Sequence, residues 1–313
     1  MKILVTGGLG HIGSKLIRKY AEKENVELIR ILDNLSTQRY CSLFDLPNSV
    51  KYEFIEGDVN DINTVRKAVK DIDIVIHLAS VTDAPSTINN HELTNKSVFE
   101  GTWNVLNGAM QANVKRFLYP STTSVYGEAE GIVDEYCPEE VYRPASPYAE
   151  AKLKTEKLIQ EIVKETGFPA IVLRKGTIFG TSIGMRFHTA INKFCYLAAM
   201  NRPLTIWDSA LNSKRPYLGL NDCIRAYEFF ETQGKNGEIY NVVTENFEMQ
   251  EIINTIKNIV PNVKIQITKS PLLNQKPYHA SNEKIKRLGF EFKDNLSEHI
   301  KETIEFFRAI KNN

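Results

Sequence analysis

Short apolar runs alternate with stretches of helical periodicity along the first 175 residues, and this alternation leaves few folds open to the chain. Runs of strand length occupy residues 2–6, 26–32, 52–56, 72–78, 116–119 and 170–173, and helical patterns include 12–23, 93–112 and 147–166. Strands that alternate with helices pair in parallel and carry helices on both faces of the sheet. The sequence therefore predicts an α/β fold with a doubly wound parallel sheet over residues 1–175.

The rhythm of strands and helices becomes less regular after residue 176. We interpret residues 176–313 as a smaller α/β substrate lobe, with some interchange of chain between the two lobes. Ligands of open α/β sheets bind beyond the carboxyl ends of the strands. The cleft between the lobes is therefore the predicted substrate site.

A glycine-rich loop joins the first strand to the first helix at Thr6–Gly13, with glycines at positions 7, 10 and 13. Glycine lets the chain turn tightly and lets a pyrophosphate approach the backbone, and the helix N-terminus offers free N–H groups to the anion. A tight turn alone is the alternative, but the strand before and the helix after favour a Rossmann dinucleotide site. Its predicted contacts are Gly7, Gly10, His11, Ile12 and Gly13.

Asp33 lies 20 residues after Gly13, at the end of the second predicted strand. A carboxylate there accepts hydrogen bonds from the adenosine ribose and repels a 2′-phosphate, which favours NAD over NADP. The alternative role is a helix cap or turn. Asp58 and Val59, after the third strand, are candidates for contact with the adenine, and Gly57-Asp58 is also a plausible turn.

Tyr148 and Lys152 lie one helical turn apart on the same predicted helix face. We expect the ammonium to lower the pKa of the phenol and to hydrogen-bond the nicotinamide ribose. Of the 13 tyrosines, only Tyr148 has a lysine four residues later. An exposed helix pair is the alternative.

A run of hydroxyl side chains at 121–124 follows the 116–119 strand, where it could hold a substrate oxygen beside Tyr148 or form a simple turn. With the glycine loop and the Tyr–Lys pair, this run resembles the extended short-chain dehydrogenase/reductase (SDR) superfamily. More narrowly, the chain is similar to the NAD-dependent epimerase/dehydratase family that acts on nucleotide sugars. The resemblance also includes the runs 33–36, 77–80, 126–127, 146–148 and 214–218.

The resemblance implies roles for further residues. Thr122 takes the family's catalytic Ser/Thr position, and Arg215 lies in the arginine segment that meets the sugar diphosphate. The implied cofactor contacts are Asn34, Ser36, Leu78, Ala79 and Ser80, completed by Lys152, Tyr119 and residues 176–178. It also implies a homodimer through a four-helix interface formed by helices 93–112 and 147–166.

Position 124 discriminates between the reactions of the family. The 4,6-dehydratases carry Asp-Glu where this chain has Thr123 and Ser124, and a hydroxyl does not replace that acid/base pair easily. We therefore predict a 4-epimerase that oxidises C4 transiently and returns the hydride, with no metal. The alternatives are a net C4 dehydrogenase or reductase, a 4,6-dehydratase, and a non-catalytic sensor that binds NAD and a partner protein.

Two departures from the family bear on the substrate. Thr177 stands where an Asn often contacts the nucleotide, and Met185-Arg186 resembles a subset that handles less common sugars, including a heptose 4-dehydrogenase. We expect Thr123, Ser124 and Thr177 to contact the substrate. Arg186 contacts sugar or phosphate, or else forms a surface salt bridge.

The charge balance of the chain excludes some partners. Lys plus Arg number 39 and Asp plus Glu 38, which gives no reason to expect binding to nucleic acid or to an anionic membrane. The four cysteines include no C-x-x-C pair, and no apolar run is long enough to cross a bilayer. We expect a cytoplasmic enzyme.

Overall fold

The computed structural model describes residues 1–81, 91–127, 129–211, 213–269 and 277–311. Its strands are β1 (Lys2–Thr6), β2 (Leu28–Asp33), β3 (Lys51–Glu56), β4 (Ile74–His77), β5 (Arg116–Thr122), β6 (Gly131–Val133), β7 (Ala170–Lys175), β8 (Thr177–Phe179), β9 (Leu204–Trp207), β10 (Lys214–Gly219), β11 (Ile239–Val242), β12 (Glu245–Glu248), β13 (Ile265–Thr268) and β14 (Tyr278–Ala280). Its helices are α1 (His11–Ala21), α2 (Ile62–Val69), α3 (His91–Asn95), α4 (Gly101–Gln111), α5 (Pro147–Thr166), α6 (Ala190–Ala199), α7 (Leu220–Phe230), α8 (Met249–Ile259), α9 (Glu283–Arg287) and α10 (Leu296–Lys311).

A seven-stranded sheet in the order β11-β7-β5-β4-β1-β2-β3 forms the centre of the molecule. All of its pairs are parallel, and β1 lies between β2 and β4. The strand order reverses between β1 and β4, which is the point where open α/β sheets bind ligands. The predicted Rossmann fold is confirmed.

Each face of this sheet carries its own apolar core. Ile3 and Val5 of β1 belong to the core that includes side chains of α1 and α7, whereas Leu4 belongs to the core with α2, α4 and α5. The alternation follows from the period of two along a strand. Continuous burial of β1 explains why its sequence is a plain apolar run rather than an alternating one.

The second half of the chain builds a separate core from α6, α8 and α10. A small sheet in the order β12-β10-β8 lies in this half, and Phe179 of β8 belongs to the same core. However, β11 also comes from the second half and completes the central sheet beside β7. The division into lobes at 175/176 stays a prediction.

The helix predicted at 93–112 differs from the observed structure. A π-helical turn at Lys96–Glu100 separates α3 from α4. A Cβ at Gly101 would lie 2.7 Å from Cγ2 of Val59, so α4 begins in close contact with the segment after β3. Among the described residues, no helix is long and apolar enough to span a membrane.

Candidate active site

The glycine loop is shaped by close backbone contacts. Gly7 has φ +66°, and a Cβ there would lie 2.6 Å from the backbone N of Ala79. A Cβ at Gly13 would lie 2.6 Å from Cα of Gly8. Gly10 is less confined, because the nearest atom to its added Cβ is the Gly7 oxygen at 3.3 Å. Gly7 and Gly13 therefore serve the turn, and Gly10 leaves room above the loop.

The start of α1 fits an anionic ligand. Gly10 is the N-cap residue, so no side chain at this position accepts a hydrogen bond from the first N–H groups of the helix. The first turn contains no acidic residue. Uncapped N–H groups and the helix dipole attract a phosphate. The loop thus has the donors that the pyrophosphate of a dinucleotide requires.

The side chain of His11 contacts the second half of the chain. Its Nε2 lies 2.8 Å from the carbonyl oxygen of Gly180, and burial lowers the pKa of the ring to about 3. Ser182 and Gly184 add hydrogen bonds to the His11 carbonyl and the Ser14 hydroxyl. The neutral ring links the second half of the chain to the loop, and the cofactor contact of His11 stays a prediction.

Asp33 ends β2 beside the loop. Its carboxylate accepts the backbone N–H of Leu9 at 3.1 Å and that of Leu35 at 3.0 Å. Asn34 donates to Asp58 at 2.9 Å and accepts the N–H of Ser36 at 3.1 Å. The residues predicted for the adenosine end therefore lie in one connected group.

Hydrogen bonds also organise Asp58. Although partial burial opposes it, donors on Asn60 and Asn34 hold the pKa of this carboxyl below its usual value. Val59 is buried beside it and packs into the core with α2 and α4. Asp58 thus orders the segment after β3 in addition to any contact with adenine.

The end of β4 meets the loop. His77 lies 2.7 Å from the Thr6 hydroxyl and 2.9 Å from the Thr102 hydroxyl, so it links β1, β4 and α4. The Thr6 hydroxyl also accepts the N–H of Ala79 at 3.2 Å. Leu78, Ala79 and Ser80 follow directly and are all partly exposed.

Tyr148 and Lys152 lie in the first two turns of α5. Ser146 caps the helix by accepting the N–H of Ala149, and Pro147 opens it. Lys152 is 2% exposed, donates to the Pro120 carbonyl at 2.8 Å, and lies 5.8 Å from the centre of the Tyr148 ring. This bond fixes the lysine to β5, two residues before Thr122.

Burial has the largest effect on the pKa values of this pair. Burial raises the pKa of Tyr148 to about 12, against the opposing charge of Arg186. Burial also lowers the pKa of Lys152 to about 7, with the charge of Lys175 adding to it and Glu156 opposing it. Burial therefore outweighs the charge of Arg186 at Tyr148, and the predicted lowering of the tyrosine pKa by Lys152 stays a prediction.

Thr122 ends β5 and caps the short helical turn after it. Its hydroxyl lies 3.1 Å from both the hydroxyl and the N–H of Ser124. Thr123 is buried and its hydroxyl donates to the Lys175 carbonyl at 3.3 Å. Thr122 and Ser124 are thus hydrogen-bonded to each other, whereas the Thr123 hydroxyl is bonded to the backbone of β7.

The predicted substrate residues of the second half differ in their exposure and in their neighbours. Arg186 is half-buried, and its charge acts on Tyr148 and Lys175. Thr177 is exposed at the start of β8, opposite Tyr217 of β10. Arg215 is half-buried, 5.5 Å from the centre of the Tyr278 ring.

Sequence reasoning missed Lys175, the last residue of β7, which is the register partner of Thr122. Burial lowers the pKa of its ammonium to about 8; Cys223 opposes the shift and Arg186 adds to it. Its place in the site could have been predicted, because a polar residue at the end of an apolar strand lies at the ligand-binding edge of a parallel sheet.

Sequence reasoning also missed the pair of Arg174 and Glu156. Both side chains are buried, and Arg174 also donates to the hydroxyls of Tyr126 and Tyr142. Ser121 also donates to Oε1 of Glu156, an oxygen that Arg174 Nε contacts as well. A lone arginine in the apolar run of β7 was the only sequence signal.

A Rossmann sheet with an uncapped glycine loop, and a helix that carries the half-buried Tyr148 and the buried Lys152, define an enzyme of the extended SDR type. The profile of the NAD dependent epimerase/dehydratase family matches residues 3–243. The chain belongs to this family, and NAD is the cofactor that the loop is shaped to hold.

Individual relatives differ in their reactions. Human dTDP-D-glucose 4,6-dehydratase is 32% identical over 326 residues, covering 98% of this chain and 90% of that protein. UDP-glucuronic acid 4-epimerase from Bacillus cereus, crystallised with UDP-glucuronic acid and NAD, is 25% identical with a TM-score of 0.88, covering 99% of this chain and 100% of that one. UDP-glucose 4-epimerase from Thermotoga maritima, solved with UDP-glucose, is 25% identical with a TM-score of 0.89 at the same coverage. The nucleotide-sugar class is thus common to them, and the reaction is not.

Proposed function

We propose that this protein is an NAD-dependent nucleotide-sugar 4-epimerase that acts through transient oxidation at C4. The observation that carries the proposal is the combination of Thr122, Tyr148 and Lys152 at one edge of the sheet with hydroxyls, not carboxylates, at positions 123 and 124. This set can move a proton on and off a sugar hydroxyl. It offers no carboxyl pair at those positions for the loss of the C6 hydroxyl.

In the proposed reaction, Tyr148 removes the proton of the C4 hydroxyl and gives it back in the reverse step. Bound NAD supplies the acceptor for the C4 hydrogen. Because the pKa of Tyr148 is about 12 in the protein alone, the phenol is protonated until further positive charge reaches the site. Thr122 holds the sugar oxygen, and Lys152 anchors the cofactor ribose from its place on Pro120.

Binding of the nucleotide sugar is assigned to groups around this centre. Arg215 and Arg186 are the candidates for the diphosphate or sugar, because a guanidinium binds phosphate oxygens in pairs. Ser124 and Thr177 are candidates for the sugar and nucleotide. The Thr123 side chain is a weaker candidate, because its hydroxyl is bonded to the strand backbone.

A 4,6-dehydratase is the second candidate, because the human relative at 32% identity carries that name. It requires an acid and a base near C5 and C6 that positions 123 and 124 do not supply. A net C4 dehydrogenase or reductase is the third, since it uses the same three residues as the epimerase.

The test is incubation with UDP-, GDP-, CDP- and dTDP-sugars in deuterated water, followed by NMR. The epimerase predicts inversion at C4 with no deuterium at C5. A 4-keto-6-deoxy product with deuterium at C5 would identify a dehydratase and overturn the proposal. A stable 4-keto product with stoichiometric NADH would identify net oxidation instead.

We also infer a homodimer, by analogy with the family, through α5 and the α3–α4 segment. Trp103 of α4 is 42% exposed in the single chain, as an interface residue would be. Light scattering of the wild type and of Trp103→Glu tests the inference, and a monomeric wild type would contradict it. The four cysteines are unpaired, which fits a reducing compartment such as the cytoplasm.

A further inference from the structure

Lys175 is a partly buried lysine of the site that has no anionic partner among the described residues. It ends β7 opposite Thr122, and its Nζ lies 5.8 Å from the centre of the Tyr227 ring. In the described ranges, no ion pair or hydrogen bond of this ammonium is found. A cation partly withdrawn from water without a partner carries a cost, which indicates a role for its charge in the site.

The groups that face Lys175 make the surroundings more positive. Lys152 approaches from α5, and the charge of Arg186 acts from the segment after β8. From α7, the neighbours are the Cys223 thiol and the Tyr227 ring. Glu156 of α5, whose charge acts on Lys152, is already bound by Arg174.

This excess of positive charge lies where the proposed reaction takes place. Arg186 acts electrostatically on both Tyr148 and Lys175, and Lys175 acts on Lys152, which joins these side chains in one electrostatic cluster. The oxidised nicotinamide ring is a cation and the reduced ring is neutral. A nearby fixed positive charge therefore penalises the oxidised form alone.

We propose that Lys175 biases the bound cofactor towards NADH, the form that is produced when C4 is oxidised. The inference rests on the C4 chemistry proposed above. In that half-reaction the C4–H bond breaks, the hydride passes to NAD, and the hydroxyl proton passes to Tyr148. The sugar is oxidised, the nicotinamide ring loses its positive charge, and the Tyr148 phenolate that accepts the proton loses its negative charge.

The experiment compares the affinities of the two cofactor forms in the full protein without any sugar. Dissociation constants for NAD and NADH are measured by calorimetry or NADH fluorescence for the wild type, Lys175→Met and Lys175→Arg. Methionine keeps the length and removes the charge. We expect the ratio Kd(NAD)/Kd(NADH) to fall about tenfold in Lys175→Met and to be retained in Lys175→Arg. Tenfold corresponds to a change of about 30 mV in the potential of a two-electron couple.

The matched control is Lys193→Met, because Lys193 is exposed on α6. A structural role for Lys175 would change both dissociation constants equally and leave their ratio intact, which would overturn the proposal. An unchanged ratio together with weaker binding of an acidic sugar nucleotide would also overturn it and make Lys175 a substrate contact. Thermal unfolding of each variant shows that the fold is kept.

Because no sugar is present, this ratio is independent of which reaction the enzyme performs. If the NMR experiment identifies a dehydratase and the ratio still shifts, the proposed function fails and the role of Lys175 stands. If epimerisation is found and the ratio does not shift, the role of Lys175 fails alone.

Discussion

Arg174 of β7 donates to both carboxylate oxygens of Glu156 of α5, at 2.7 to 3.1 Å, and each side chain is 1% exposed. The pair joins the helix that carries Tyr148 to the strand that ends in Lys175. Through Ser121 it also reaches β5, one residue before Thr122. The relative positions of the three proposed catalytic side chains therefore depend on two residues that need not touch substrate.

Removal of one partner of the Arg174–Glu156 pair should destabilise the protein more than replacement of both partners by apolar residues. Glu156→Ala leaves the Arg174 guanidinium buried and unpaired, and we expect the free energy of unfolding to fall by about 3–5 kcal/mol. The double variant Glu156→Leu with Arg174→Met should be less destabilised. Urea unfolding measures both. Equal destabilisation in the two variants would contradict the ion-pair argument.

Gly7→Ala should destabilise the protein through contact as well as through backbone strain. Gly131 is a matched control, because its φ is also positive (+76°) and an added Cβ meets nothing within 4 Å. A Cβ at Gly7 would lie 2.6 Å from the Ala79 backbone. We expect Gly7→Ala to cost about 1–3 kcal/mol more than Gly131→Ala in urea unfolding. Similar losses would mean that the loop can shift.

Asp33→Asn should weaken the binding of NAD without weakening the binding of NADP. Removal of the carboxylate deletes a charge-assisted acceptor for the ribose, for which we expect roughly tenfold weaker NAD binding. Without the negative charge, NADP should bind as well as before or better. Calorimetric titration of each cofactor checks this, with the exposed Asp45→Asn as control. An equal loss for both cofactors would indicate that Asp33 only orders the loop through Leu9 and Leu35.

Tyr148→Phe should abolish turnover while leaving NAD bound. The variant removes one hydroxyl from the proposed proton-transfer group, and we expect kcat to fall at least about 100-fold. Tyr196→Phe is a control, since Tyr196 packs against Phe187 and Phe307 in the second half of the chain. Near-normal turnover of Tyr148→Phe on its sugar nucleotide would refute the assigned mechanism.

Acid should destabilise the protein through His77. Burial, with the nearby charge of Lys152, lowers the pKa of His77 from 6.5 to about 3. The unfolded chain therefore takes up this proton first, so the stability provided by the neutral ring is complete above about pH 6.5 and is lost as the pH falls towards 3. At pH 4.5 the loss is on the order of 2–3 kcal/mol.

Urea unfolding at pH 7 and pH 4.5 measures that loss. His77→Gln should reduce the difference between the two pH values, because glutamine keeps hydrogen-bonding capacity without taking up a proton. His91→Gln changes an exposed histidine and should leave the difference as it is. An equally steep acid loss in His77→Gln would show that other groups, such as His11, account for it.

The features that could be predicted from the sequence are those whose residues lie close together along the chain. The glycine loop and the Tyr148–Lys152 spacing are patterns within a few residues, and α5 and β1 begin and end where predicted. The contribution of burial to the pKa of Tyr148 could not be predicted, because it depends on distant segments. The Arg174–Glu156 pair was missed for a similar reason, since 18 residues of chain separate its partners.

The origin of β11 has a consequence for how the molecule is made. Residues 239–242 supply the strand that pairs with β7 at the edge of the sheet. Until the ribosome has released that segment, the outer backbone groups of β7 have no strand to bond, and an open strand edge invites association with other chains. The cofactor half is therefore finished only after about half of residues 176–313 has been synthesised. Expression of residues 1–175 alone should yield an aggregating fragment rather than a free-standing dinucleotide-binding domain.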